Sequence, residues 1–152
     1  WGHTTEPHNP IANLFNGSVT MPRSDLERAF DPLIEAFLSG GGGTVVTLRF
    51  MQRAAGLLAP ARFDSNVVID FDGPRSDVSH RSYRAVVAKL DALGIRFTRH
   101  WGKTNDLDAV RVARDYGDDY RRFRVAQRRL MPGSADIAVF RSDPLVHLGL
   151  ID

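Results

Sequence analysis

The sequence predicts an α+β domain in which helices cover a mainly antiparallel sheet. Two short runs, residues 44–51 and 66–71, are rich in Val, Thr, Ile and Phe and suit strands. Two longer segments, residues 25–38 and 79–93, repeat apolar residues at helical spacing. The resulting order is helix, strand, strand, helix, strand, helix, helix, with no repeat at a solenoid period.

Each element has a local cause. Residues 1–23 carry Gly2, Pro7, Pro10, Gly17 and Pro22, and are expected to be an extended N-terminal arm with a short strand near 14–19. Residues 24–152 are expected to be one domain. Ser24 is placed to cap the first helix, whose apolar face is Leu26, Phe30, Leu33, Ile34 and Phe37. Pro32 should kink that helix or begin a second one after Asp31. Gly40–Gly43 forms a turn. In the strand that follows, Val46, Leu48 and Phe50 share one face, and Thr47 and Arg49 the other. In the next strand Val68 and Asp70 oppose Val67, Ile69 and Phe71. The second helix buries Tyr83, Val86, Val87, Leu90 and Leu93, and Gly94 ends it. A third strand is expected over 95–99, with His100-Trp101-Gly102-Lys103 at its exit. Asn105 is expected to cap a helix over 106–116, and a further helix runs to Leu130 before Pro132. A short strand over 137–140 and a closing turn or helix over 143–150 complete the chain.

Composition narrows the function. The 152 residues are 43% hydrophobic and 25% charged, which is an ordinary globular balance. The formal charge is only +2, although all but two of the 20 basic residues are arginine; the lysines are Lys89 and Lys103. Without cysteine, disulfides and thiolate chemistry are excluded. No apolar run reaches bilayer length, so a soluble protein is expected, cytoplasmic or secreted. The chain starts at Trp1 and lacks a signal-peptide pattern, so a processed product or a fragment is expected.

Motifs narrow it further. Gly40–Gly43 lies between a helix and a strand, the reverse of a phosphate loop. Neither G-x-x-x-x-G-K-[ST] nor G-x-G-x-x-G occurs. His3, His8, His80, His100 and His147 fall in no zinc-binding spacing, so no metal is expected. No serine lies in G-x-S-x-G. Arg121, Arg122, Arg124, Arg128 and Arg129 form a basic stripe, but Asp115, Asp118 and Asp119 precede it, so nucleic acid is disfavoured as a partner.

His100-Trp101-Gly102-Lys103 carries the most chemistry. A strand end there presents an imidazole, an indole and an ammonium around a glycine turn. In this setting the sequence resembles the C-terminal substrate (cap) domain of FAD-dependent oxidases of the vanillyl-alcohol oxidase superfamily, in the sugar-lactone and alditol oxidase branch. The matching pattern is the first helix, Thr47-Leu48-Arg49, the strand holding Asp70, the second helix and the His-Trp-Gly-Lys motif. The tail with Tyr116, Phe140 and Leu148-Gly149-Leu150 follows. Four positions depart from that pattern: Thr47 replaces an acid, Asp70 a histidine and Met131 an aspartate, while Arg141-Ser142-Asp143 replaces an Asn-containing segment.

The resemblance implies FAD held mainly by a separate domain or subunit that this sequence does not contain. It implies oxidation of a small-molecule alcohol (a sugar, polyol or other hydroxyl compound), with hydrogen peroxide as product. Lys103, Arg49 and Asp70 are the expected catalytic residues, and Thr47, Arg49 and His100 the substrate-binding ones. His100, Trp101 and Lys103 are expected to face the cofactor. Asp70 is expected either to pair with Arg49 or to accept the hydroxyl proton. Two other readings are a catalytically inactive small-molecule binding module of the same fold and a nucleic-acid-binding α+β domain.

Overall fold

The computed structural model describes residues 13–152. His3, His8 and the first half of the expected arm lie outside the described residues. The order is β1 (Leu14–Pro22), α1 (Leu26–Ser39), β2 (Val45–Gln52), β3 (Ser65–Pro74), α2 (Asp77–Ala92) and β4 (Thr98–Arg99). Four helices follow: α3 (Ala109–Tyr116), α4 (Asp118–Leu130), α5 (Ser134–Phe140) and α6 (Asp143–His147). The sheet order is β2-β3-β1-β4, and all neighbours are antiparallel. This β-α-β-β-α-β path is the split βαβ, or ferredoxin-like, arrangement. It is an α+β fold, and by itself it carries no function.

The largest correction concerns residues 14–22. They are no appendage but a nine-residue strand between β3 and β4, so the domain begins before residue 23. Phe15, Val19 and Met21 on this strand are each at most 1% exposed. The strand expected near 14–19 is therefore present, but it runs on to Pro22 and lies inside the sheet. Pro22 is tolerated because it is the strand's last residue.

Alternation sorts the sheet into two faces. Phe15, Val19, Met21, Val67, Ile69 and Phe71 point toward α1 and α2 and form the main core with Leu33, Tyr83, Val86 and Leu90. Burial of such side chains contributes about 1.5–3 kcal/mol each. Asn16, Ser18, Thr20, Asn66, Val68 and Asp70 point the other way. The β2–β3 connection folds over part of that second face. Thr98 Oγ1 donates to the Pro60 carbonyl at 2.7 Å, and Asn66 both accepts from and donates to the Phe63 backbone.

The helix ends follow from glycine. At the end of α2, Gly94 N–H donates to the Asp91 carbonyl and Ile95 N–H to that of Leu90, both at 3.0 Å. This is a Schellman motif, and Gly94 has the φ of +63° that it requires. The motif holds Ile95 to the helix, so the third strand shrinks from the expected 95–99 to Thr98–Arg99. Gly41 and Gly42 close α1 the same way, donating to Leu38 and Phe37. The glycine turn is thus a helix terminus in which the amides of Gly40, Gly41 and Gly42 are already engaged. The first helix runs unbroken through Pro32 and starts from a 3-10 turn at Arg23–Asp25 rather than from a Ser24 cap.

The C-terminal helices dock as a second unit of packing. Leu107, Val112 and Tyr116 are buried against Leu58, Trp101, Tyr120 and Leu148. Asp108, not Asn105, caps α3, accepting from Arg111 N–H at 2.7 Å. Residues 137–140 are helical rather than a strand, as part of α5. Their apolar run is too short for periodicity to separate helix from strand. No helix among the described residues is long and apolar enough to cross a membrane.

The contact between α1 and α2 is close at one point. A Cβ on Gly40 would lie 2.4 Å from Ser82 Cα, which is backbone and cannot turn aside. Gly40→Ala should therefore destabilise the domain by about 1–3 kcal/mol, the cost of overpacking. Urea unfolding of the variant would measure it, and an unchanged midpoint would contradict this packing.

Candidate functional site

The second face of the sheet gathers most of the expected polar residues around one carboxylate. Strand parity points Asp70 away from the helices, and its neighbours in register are Ser18 on β1 and Thr47 on β2. Its side chain is 5% exposed. Arg49, two residues along β2 from Thr47, donates from Nε to Asp70 Oδ2 at 2.6 Å. Lys103 donates from Nζ to Asp70 Oδ1 at 2.7 Å. The two cations thus occupy different oxygens of the same carboxylate.

Lys103 reaches the sheet because its loop is pinned at several points. His100 N–H donates to the Ser18 carbonyl and Thr104 N–H to that of Asn16, so the loop stays along β1 on both sides of the motif. Asn105 Nδ2 donates to the carbonyls of Lys103, at 2.8 Å, and His100, at 3.2 Å. Its Oδ1 accepts from Leu107 N–H at 3.1 Å. Asn105 is therefore the brace of this loop.

Trp101 is also an anchor. Its indole N–H donates to the Leu58 carbonyl at 2.7 Å, and its ring stacks on Tyr116 with centroids 5.3 Å apart. With its donor engaged and its ring packed against the second core, Trp101 serves as a structural anchor of the motif. His100 and Lys103 keep their polar atoms on the sheet side.

The electrostatics are coupled. Burial pushes the Asp70 carboxyl up, but hydrogen bonds from Arg49 and Lys103, the adjacent Ser18 and the Lys103 charge together bring it below its ordinary value. Asp70 is thus a carboxylate at neutral pH with both oxygens occupied, and hence a weak proton acceptor. Of its two expected roles, the geometry realises the ion pair. For His100, burial and then the positive charges of Lys103 and Arg49 lower the pKa, with Asp70 opposing in part. The imidazole is neutral near pH 7. Its Nδ1 accepts from Gly102 N–H at 3.1 Å, which leaves the proton on Nε2 as a donor.

The cluster is not satisfied internally. Asn16 Oδ1 is buried beside it without a hydrogen-bond partner in the chain, and the buried Ser18 hydroxyl interacts with Asp70 without completing a well-formed hydrogen bond. Buried oxygens left short of partners call for an explanation, and a bound polar group is one. Thr47 and half of Arg49 face solvent, so the site is an open polar face. An apolar groove of about 400 Å³ lies on the opposite face, between α1 and β2, and shares none of these residues.

The basic stripe has its own partners. Arg121 pairs with Asp118, Arg122 with Asp119, and Arg124 and Arg128 with Asp152.

Sequence reasoning missed Ser18, Asn16 and Asn105. The first two lie on β1, within the stretch the sequence marks as an arm. Asn105 suits a helix cap by sequence, and the signal that it braces a turn is its position two residues after Lys103. No family model and no curated protein matches this chain.

Two titrations follow. The His100 midpoint, read by NMR, should lie below that of an exposed histidine, rise in Lys103→Met and fall further in Asp70→Asn. No movement in either variant would disprove the coupling. Because Asp70 titrates lower folded than unfolded, its stabilisation is complete above about pH 5. It is lost as pH falls through the lower folded value. Asp70→Asn should flatten that acid limb in unfolding curves measured from pH 7 to 2.

Proposed function

We propose that this chain is the substrate-binding domain of an FAD-dependent alcohol oxidase that yields hydrogen peroxide. The observation that carries the proposal is the meeting of Lys103 and Arg49 on one buried carboxylate, beside neutral His100 and the buried oxygens of Ser18 and Asn16. The resemblance of the His-Trp-Gly-Lys motif to the vanillyl-alcohol oxidase superfamily supports the same reading.

The residues present suit one side of the flavin only. Lys103 spends one N–H on Asp70, leaving two for a ligand oxygen. Neutral His100 offers Nε2–H. Three amides of the glycine turn, those of Gly40, Gly41 and Gly42, already cap α1. On this reading the dinucleotide is held by a partner domain or subunit. Flavin, when bound there, supplies the electron acceptor for carbinol oxidation.

Within that frame the chain's own residues orient the alcohol. Lys103 binds the reacting oxygen and favours the charge that develops on it as its proton leaves. Arg49 binds a second substrate oxygen, and Thr47 and His100 flank it. Asp70 is a positioning residue that aims both cations. A hydroxyl suits the cluster because it both donates and accepts, which its mixture of donors and buried oxygens requires.

The test is purification of the protein with its natural partners from its native source, followed by assay for flavin absorbance and for peroxide release with polyols and sugars. Flavin-dependent peroxide release is expected. Lys103→Met should cut turnover by about 10²-fold, the scale of losing one charge-stabilising donor. A colourless protein, or one that binds polyols without oxidising them, would overturn the enzyme reading.

A further inference from the structure

The β2 edge and the outer face of α1 form one exposed apolar surface. β2 is the terminal strand of the sheet, and every residue on it is exposed. Val46, Leu48 and Phe50 lie on its helix side, in line with Phe30, Ile34 and Leu38 on α1. These six side chains are between 37% and 63% exposed. All but Phe50 line the apolar groove of about 400 Å³. A long, apolar, unpaired edge is the feature that folded proteins otherwise shorten, charge or cover.

The edge is complementary to itself. In an antiparallel pairing of two β2 strands about Leu48, Leu48 meets its own copy and Val46 meets Phe50. On the other side Arg49, the only charge on β2, meets Thr47. Within the strand pair no like charges face each other, and the cation bordering the patch at Phe50, Arg23, lies over that ring at 5.0 Å. Pairing about Arg49 would instead oppose two guanidinium groups. The helix obeys the same symmetry. Phe30, Ile34 and Leu38 line the same groove as Val46 and Leu48, so a two-fold through Leu48 places the two copies' α1 faces on the same side of the joined sheet. A stable interface takes about 800 Å² from each partner. A full edge strand and six half-exposed apolar side chains supply an area of that order.

We propose that β2 is covered by the β2 strand of a second copy of this chain, antiparallel about Leu48. The pairing makes one continuous eight-stranded sheet and closes both α1 grooves against each other. This is an isologous contact, in which the same patch serves both copies and assembly stops at two. It does not depend on the proposed enzymatic function, since none of the apolar residues belongs to the Asp70 cluster.

The test is sedimentation of the full chain at tens of micromolar, with two substitutions. The wild type should be a dimer. Leu48→Arg should shift it to monomer while its circular dichroism stays unchanged, because Leu48 is exposed within one copy. The chain has no cysteine, so register can be read directly. Leu48→Cys should form a disulfide-linked dimer on mild oxidation, and Val46→Cys should not, because residue 46 lies opposite residue 50. A monomeric wild type, open-ended oligomers, a dimer that survives Leu48→Arg, or equal crosslinking of both cysteine variants would each overturn the proposal.

Discussion

The arrangement of the sheet's second face depends on one buried carboxylate. Leaving Asp70 charged without partners would cost more than any nearby packing contact returns. Its two partners come from different elements: Arg49 from β2 and Lys103 from the loop beyond β4. Each fixes a separate part of the fold. Slipping β2 by one residue would turn Arg49 to the helix side and place Leu48 against the carboxylate. Loosening the Trp101 anchor or the Asn105 brace would withdraw Lys103. The registers of two distant segments are therefore tied to the two oxygens of one residue.

The opposite face works by another principle. There the core is apolar and closely packed, with rings of Phe15, Phe71 and Tyr83 meeting edge to face at 5.5–5.7 Å. Arg99 is the exception. It is 1% exposed on the helix side, lies over the Phe97 ring and meets Asp106 at 3.2 Å. Its carboxylate partner is itself largely exposed, so this pair differs from the Asp70 cluster, where the carboxylate is the buried member. The two faces thus bury charge in opposite ways.

What the sequence showed was what lies within one element. Strand parity placed Thr47 and Arg49 on one side and opposed Asp70 to Ile69, as observed. Helical spacing located α2 nearly to its ends, because Gly94 supplies a stop with a definite geometry. What it hid depends on partners far along the chain. The sequence places a strand near 14–19, but its central position in the sheet, between β3 and β4, depends on residues far along the chain. Trp101 beside Lys103 looked like chemistry, whereas Leu58 and Tyr116, 43 and 15 residues away, make it an anchor. The run 137–140 was ambiguous for a different reason. Four apolar residues fit either period, and here the Gly133 amide bonding to Asp136 at 3.1 Å accompanies a helix.

The two open surfaces of the domain meet on a single strand. β2 offers Arg49 to the polar face and Leu48 to the apolar one, and its backbone edge is free. The polar face is strong only in part as it stands. Arg49 is half-exposed, so water screens its attraction for Asp70, while Lys103 is far better shielded. A surface laid over that face would exclude the water and strengthen both cations' hold on whatever oxygen sits between them. A partner along the strand edge would hold β2 straight and keep Arg49 in register. The chemistry of the site and the covering of the edge therefore act on the same eight residues, one through side chains and the other through the backbone.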